Sequence, residues 1–194
     1  KGRYPGQLFF WPPVGMSESD DTRLMERCNN GDRQAFEMLL ARYEKPVFNA
    51  AYRMLNSPDD ARDVTQTVFL KVFEHLDQYD PKYRFFSWIY RITLNESINW
   101  LKKTNRLDAL DGDTPDTASG PEQEASNEEL SEGMQAALMT ISPDYRSVIV
   151  LKHLLGCSYQ EISEVLEIPE KKVKSRLYTA RQLLQETLIE RGLH

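Results

Sequence analysis

Between Glu167 and Gln182 the chain reads EIPEKKVKSRLYTARQ, placing Lys172, Lys174, Arg176 and Arg181 beside Tyr178 in a protein whose formal charge is −6. At helical spacing these residues divide into two faces. Val173, Leu177, Ala180 and Leu184 recur along an apolar side, and Lys174, Tyr178 and Arg181 recur along the opposite one, next to Lys171 and Ser175. Lysine and arginine neutralise phosphates or donate to guanine O6 and N7, and serine and tyrosine hydroxyls reach phosphate oxygens or base edges. The preceding residues supply what must position such a helix. Ser158 and Glu161 have capping-box spacing ahead of a short helix with Ile162 and Val165 inward, and Glu167, Ile168 and Pro169 form a turn. Two short helices joined by a tight turn follow the helix-turn-helix plan. The competing reading is a solvated amphipathic helix with surface lysines. The turn, the small Ser163 and Ala180 and the local positive charge favour DNA binding.

A second set of residues suits single-stranded nucleic acid. In FFSWIYRITLNESINWLKK, Leu94, Ile98 and Leu101 mark one helical face and Arg91, Asn95, Asn99 and Lys102 another. An exposed amide such as Asn95 carries both donors and acceptors and can read a base edge. Tyr79, Tyr83, Phe85, Phe86 and Trp88 crowd the loop and helix start just before it, where unpaired bases could stack at about 1–3 kcal/mol each. A core role is at least as fitting for each ring, and Trp88 and Phe86 are packing residues first.

The elements carrying this stripe read as helices. Asp32 caps a helix through Phe36, Leu39, Leu40 and Tyr43, in which Pro46 predicts a kink or break before 47–55. Ser57 caps the next, with Pro58 in its first turn and Asp59 and Asp60 at its positive end. Val64, Val68, Val72 and Leu76, flanked by Phe69 and Phe73, face a core, and Asp63 and Gln66 lie on the other side. No alternating β pattern competes. Toward the C-terminus, a second module from about Glu128 holds two helices before the 167–182 stretch.

Composition bounds the alternatives. With 194 residues and 40% apolar content the chain can bury a core, and its apolar runs fall short of a bilayer span. No basic and apolar leader opens it, so no membrane insertion and a cytoplasmic location are expected. Cys28 and Cys157 indicate neither a disulfide framework nor a zinc site. His153 and Cys157, one turn apart, offer only two metal ligands. No nucleotide loop or catalytic triad is present, so neither catalysis nor a cofactor is expected. Residues 107–132 hold nine acids and no base, which leaves the rest of the chain net positive. Residues 107–127 read as a flexible acidic linker between a module at 16–106 and one at 128–194. Residues 1–15, KGRYPGQLFFWPPVG, lack helical period and read as an extension outside the fold.

The order RDVTQTVFLKVF, FFSWIYRITLNESINWLKK, acidic linker and SYQEISEVLEIPEKKVKSRLYTARQLL resembles a bacterial RNA polymerase sigma factor of the extracytoplasmic-function group, over about Asp20 to Glu190. The resemblance implies an all-α protein of two helical domains. Region 2 would bind the β′ clamp helices of core RNA polymerase and open the −10 promoter element. Region 4 would read the −35 element and touch the β flap. By resemblance Asp63, Gln66 and Phe69 fall in the clamp-binding segment, Asn95 at the unpaired −10 strand, and Lys174, Ser175, Arg176, Tyr178 and Arg181 on the −35 helix; by their place on the same polar faces Arg91, Asn99 and Lys102 are expected beside Asn95 at the −10 strand, and Lys171 on the −35 surface. An anti-sigma factor is implied as a partner by the family alone. Three departures bear on the promoter read rather than on the role. Thr67 stands where relatives commonly carry an acid, Thr179 where a base is frequent, and Lys171 where many have glycine. The rival readings are a helix-turn-helix regulator acting without polymerase, and an all-α enzyme or scaffold.

Overall fold

The computed structural model describes the backbone of residues 18–111 and 125–192, and the side chains of residues 20–106 and 132–192. Among the described residues every regular element is helical. The first module comprises α1 (Glu18–Asn29), α2 (Arg33–Leu55), α3 (Pro58–Glu74), a 3-10 turn at Leu76–Gln78 and α4 (Phe85–Asp111). The second comprises α5 (Ala125–Thr140), α6 (Pro143–Ile149), a π turn at Val150–Leu154, α7 (Tyr159–Leu166) and α8 (Glu170–Glu190).

The start signals act as the sequence predicts. Asp32 accepts from the Gln34 amide at 3.0 Å and the Ala35 amide at 3.3 Å. The Arg27 hydrogen bond, then the Ala35 amide, hold its carboxyl below the usual range. Ser57 caps α3 by accepting from the Asp60 amide at 3.3 Å, with Pro58 in the first turn. In the capping box of α7, Glu161 N–H donates to Ser158 Oγ at 3.1 Å and Ser158 N–H donates to Glu161 Oε2 at 2.7 Å. The chain then turns at Glu167, whose φ of 53° and ψ of 40° are left-handed, and three residues separate the end of α7 from the start of α8.

Several expectations need correction. Pro46 lies inside a continuous α2 rather than breaking it. Proline deprives the Arg42 carbonyl of its intrahelical donor, but Val47, Ala50, Ala51 and Met54 on the following turns are fully buried and hold both halves to one core. Phe73 was expected in the core and is 61% exposed, because the neighbouring helices cover the Phe69 side of α3 and meet Phe73 only through an edge contact with Phe36 at 5.3 Å. The helix α1 was not anticipated. Leu24, Met25 and Cys28 give it a short buried edge, and Tyr43 Oη donates to Asp21 Oδ2 at 2.6 Å to pin it to α2. Three helices rather than two precede α8 in the second module. The helices α4 and α5 extend into the 107–127 segment from both sides, since Leu107, Ala109 and Leu110 continue a helical pattern that acidic charge alone does not stop. The remainder of that segment and residues 1–15 lie outside the described residues.

The two modules pack together. The helix α2 meets α5, α6 and the π turn, and α4 meets α7, so that one apolar cluster runs from Leu24 to Ala180. At the first junction Arg146, 4% exposed, donates to the carbonyls of Leu138, Met139 and Ile141, ending α5, and to the carbonyl of Met54, ending α2. Burial pulls its pKa down to about 10, still well above neutrality, so the guanidinium stays charged. Beside it Gln135 Nε2 donates to the Tyr52 carbonyl at 3.3 Å while Arg53 Nη1 donates to Gln135 Oε1 at 2.9 Å.

Candidate nucleic-acid interface

The helix α8 is positioned by burial of Val173, Leu177 and Ala180 against α6 and α7, which turns the opposite face to solvent. Lys171, Lys174, Ser175, Tyr178 and Arg181 are exposed there, with Tyr178 at 66%. Arg176 departs from that face. It is half-buried and reaches Asp144 of α6 at 3.2 Å, because its position falls one step toward the apolar side.

Neighbouring groups orient the exposed cations. Lys174 Nζ lies 5.4 Å from the Tyr159 ring centroid, and Lys152 Nζ lies 5.0 Å from the same ring. Lys152 also donates to the Cys157 carbonyl at 2.8 Å. Arg181 Nε donates to His153 Nε2 at 3.2 Å, which requires an imidazole unprotonated at that nitrogen. Partial burial, then Arg181 and Lys152, lower the His153 pKa and favour that form. Gln182 Nε2 donates to Tyr178 Oη at 3.1 Å. The sequence reading missed Lys152, Tyr159 and Gln182. Lys152, a base six residues before the capping box, was the available signal.

The α4 stripe divides in two. Asn95, Asn99 and Lys102 are exposed in line, opposite the buried Leu94 and half-buried Ile98 and Leu101. Arg91 is half-buried beneath α7. Of the nearby aromatics, Tyr79 and Phe85 are core residues packed with Tyr43 and Trp88 at ring separations of 5.1–6.1 Å. Phe86 and Trp88 are half-buried, and Tyr83 alone of the five is 51% exposed.

On α3, Asp63 and Gln66 are exposed as expected, and Leu70 and Phe73 continue the same line at intervals of four and three. Phe69, grouped with them in the sequence reading, points inward at 7% exposure, one step around the helix from that line. Leu70 and Phe73, each 61% exposed, replace it as the apolar members of the face.

His153 engages Arg181, and the Cys157 thiol is buried and pushed up to about 12, chiefly by desolvation. Among the described residues no group of three or more His, Cys, Asp or Glu could hold an ion, and no helix is long and apolar enough to cross a membrane.

Residues 39–107 match Sigma-70 region 2, and residues 131–184 match Sigma-70 region 4. The chain is 31% identical over 176 residues to the ECF RNA polymerase sigma factor SigW of Bacillus subtilis, covering 84% of this chain and 94% of that protein. It belongs to the extracytoplasmic-function sigma factors. To the ECF RNA polymerase sigma-E factor of Escherichia coli this sigma factor is 32% identical over 182 residues, 87% of its own length and 95% of the relative's. Its fold resembles that of CnrH, solved in complex with the cytosolic domain of CnrY, with a TM-score of 0.69 and 27% identity over 88% of this chain and 98% of CnrH. It also resembles RpoE of Bartonella quintana, solved with the anti-sigma factor NepR, with a TM-score of 0.68 and 26% identity over 79% and 96% of the two chains. As a sigma factor the protein directs promoter-specific transcription initiation. Members of this family are in general DNA-binding initiation factors rather than enzymes.

Proposed function

We propose that the first module reads and opens the −10 element through the α4 stripe while α8 reads the −35 element, with no catalytic chemistry in the chain itself. The observation that carries this is the presence, on one chain and in this order, of an exposed amide-bearing stripe and a helix-turn-helix whose second helix turns Lys171, Lys174, Ser175, Tyr178 and Arg181 outward. Phosphate contacts by the cations set register, and Ser175 and Tyr178 lie where base edges are reached. Arg176 fixes α8 to α6 through Asp144 and comes to DNA only if that pair parts. Asp63 and Gln66, extended by Leu70 and Phe73, form the face offered to the β′ clamp helices of core polymerase, and buried Phe69 supports it from behind. The second module meets the β flap. An anti-sigma factor is a further partner, as NepR is for the structural relative RpoE.

The test is transcription with purified core polymerase. The wild-type chain should drive promoter-dependent initiation, which a helix-turn-helix regulator acting alone cannot do. Asn95→Ala should spare duplex −35 binding and core affinity yet impair opening, and a premelted −10 bubble should restore opening but not base preference. Permanganate footprints identical to wild type on duplex DNA, with −10 preference unaltered, would remove Asn95 from the reading surface.

A further inference from the structure

Arg181 differs from its neighbours on α8 in the kind of partner it has. Lys174 Nζ lies 3.6 Å from Glu170 Oε2 and Arg176 Nη2 lies 3.2 Å from Asp144 Oδ2, so each is attended by a carboxylate. Arg181 instead donates through Nε to His153 Nε2 at 3.2 Å, and among the described residues no carboxylate forms an ion pair with it. A carboxylate fixes an arginine but offsets the charge that a phosphate would meet. A neutral imidazole fixes it and leaves the charge whole. Use of Nε also keeps both Nη groups for phosphate oxygens or for guanine O6 and N7.

The support for this contact lies outside the recognition helix. His153 belongs to the π turn at Val150–Leu154, 28 positions before Arg181. Val150 and Leu151 are buried, Leu155 N–H donates to the Val150 carbonyl at 3.1 Å and Cys157 N–H to the Leu151 carbonyl at 3.0 Å. The imidazole thus stands on a fixed piece of backbone, and the long arginine side chain is the member that is placed. Short π turns of this kind recur at functional sites.

The hydrogen bond exists in one protonation state. Acceptance at Nε2 leaves the single proton of the imidazole on Nδ1, and an imidazolium has no acceptor to offer. Partial desolvation, then the cations Arg181 of α8 and Lys152 of the same turn, hold the His153 pKa below the ordinary histidine value. Among the described residues the elements packed around the turn bring no carboxylate to oppose them. Arg53 of α2 bonds Gln135, Asp144 and Arg146 of α6 bond Arg176 and backbone carbonyls, and the acids of α7 and its cap bond Arg84, Ser87 and Arg91 at the start of α4.

We propose that His153 is a positioning residue for −35 recognition: as a neutral acceptor on a fixed turn it aims the Arg181 guanidinium at the DNA without neutralising it, and it releases that side chain when protonated. The inference rests on the assignment of α8 to the −35 element. Its consequence is a −35 affinity linked to one imidazole. The aimed state is present above the His153 pKa and is lost as pH falls through it.

The experiment uses holoenzyme assembled from the full chain and core polymerase. Anisotropy of a labelled duplex carrying the −35 element of a promoter mapped by transcript-start sequencing is followed from about pH 8 to about pH 5.5. At the upper pH His153→Ala should weaken binding by about two- to ten-fold, the worth of one hydrogen bond. His153→Gln, whose amide oxygen accepts but does not titrate, should restore it. In an Arg181→Ala background the His153→Ala change should have no effect. On acidification the wild type should lose affinity relative to His153→Gln, whose profile carries every other titrating group. Imidazolium attracted directly by phosphate would give the opposite slope and overturn the inference, as would a His153→Ala effect that persists without Arg181 or that glutamine does not rescue. A normal Arg181→Ala loss beside a silent His153→Ala would overturn the inference alone. Arg181→Ala binding equal to wild type would instead take Arg181 off the DNA, and the inference with it.

Discussion

Lys174 and Arg181 show how a charge is made useful by what it touches. Neither is free to wander: Tyr159 lies under one ammonium and His153 accepts from the other side chain, so both keep their heads near the exposed face of α8. Holding a long cation in place before binding reduces the entropy lost when it meets a phosphate. Lys174→Ala or Arg181→Ala should weaken −35 binding across sequences and lower the salt slope by about one for each phosphate no longer neutralised. If one of them reads guanine, about 1–3 kcal/mol of discrimination should vanish at one base pair instead. Fluorescence anisotropy on a duplex series at several salt concentrations separates these outcomes, and a slope and affinity equal to wild type for both variants would place the two cations off the DNA.

At the scale of the element, the ends of helices carry much of the design. Asp32, Ser57 and Ser158 each occupy amides that would otherwise lack partners, and Asn56 and Glu167 close α2 and α7 in the left-handed conformation. Arg146 performs the complementary task for carbonyls, satisfying three at the end of α5 and one at the end of α2. Its planar fork suits several acceptors at once. Arg146→Ala should therefore cost about 3 kcal/mol or more, since several buried carbonyls would lose their donor together. Arg146→Lys should recover only part of that, because one ammonium cannot span the four oxygens. Shifts in the urea midpoint at constant slope measure both, and a loss below about 1 kcal/mol for the alanine variant would show the site to be redundant.

Considered whole, the molecule departs from the image of two beads on a string. The boundaries 16–106 and 128–194 remain our proposal for the modules, but each covers apolar and polar groups of the other. Gln135 and Arg146 reach the carbonyls of Tyr52, Arg53 and Met54 across the junction. A fragment of residues 128–194 should fold with a lower urea midpoint than the same helices show in the full chain, and adding a fragment of residues 16–106 in trans should raise it. Identical midpoints would mean that the junction contributes nothing to stability. Proteolysis of the full chain should cut first between the modules, where the sequence is poorest in bulky apolar residues.

The sequence by itself determined the helices that begin with a cap and continue with a period, because these depend on residues within one or two turns of each other. Asp32, Ser57 and Pro58, the Ser158–Glu161 box and the three-residue turn before α8 were all legible for that reason. The exposed faces of α8 and of the α4 stripe beyond Arg91 were legible as well, since a helix exposes what its apolar line leaves over. Finer rotation was not. Phe69 turned inward and Phe73 outward because the neighbouring helices, not the period alone, decide which side of a broad apolar line is covered. The continuity of α2 through Pro46 likewise depends on burial against other elements. Above all, the contacts of Arg91 with the Glu164 carbonyl and the Glu167 carboxylate join residues more than seventy positions apart. In the sequence these are an arginine on one helix and the end of another; only the packing of α7 on α4 makes them partners.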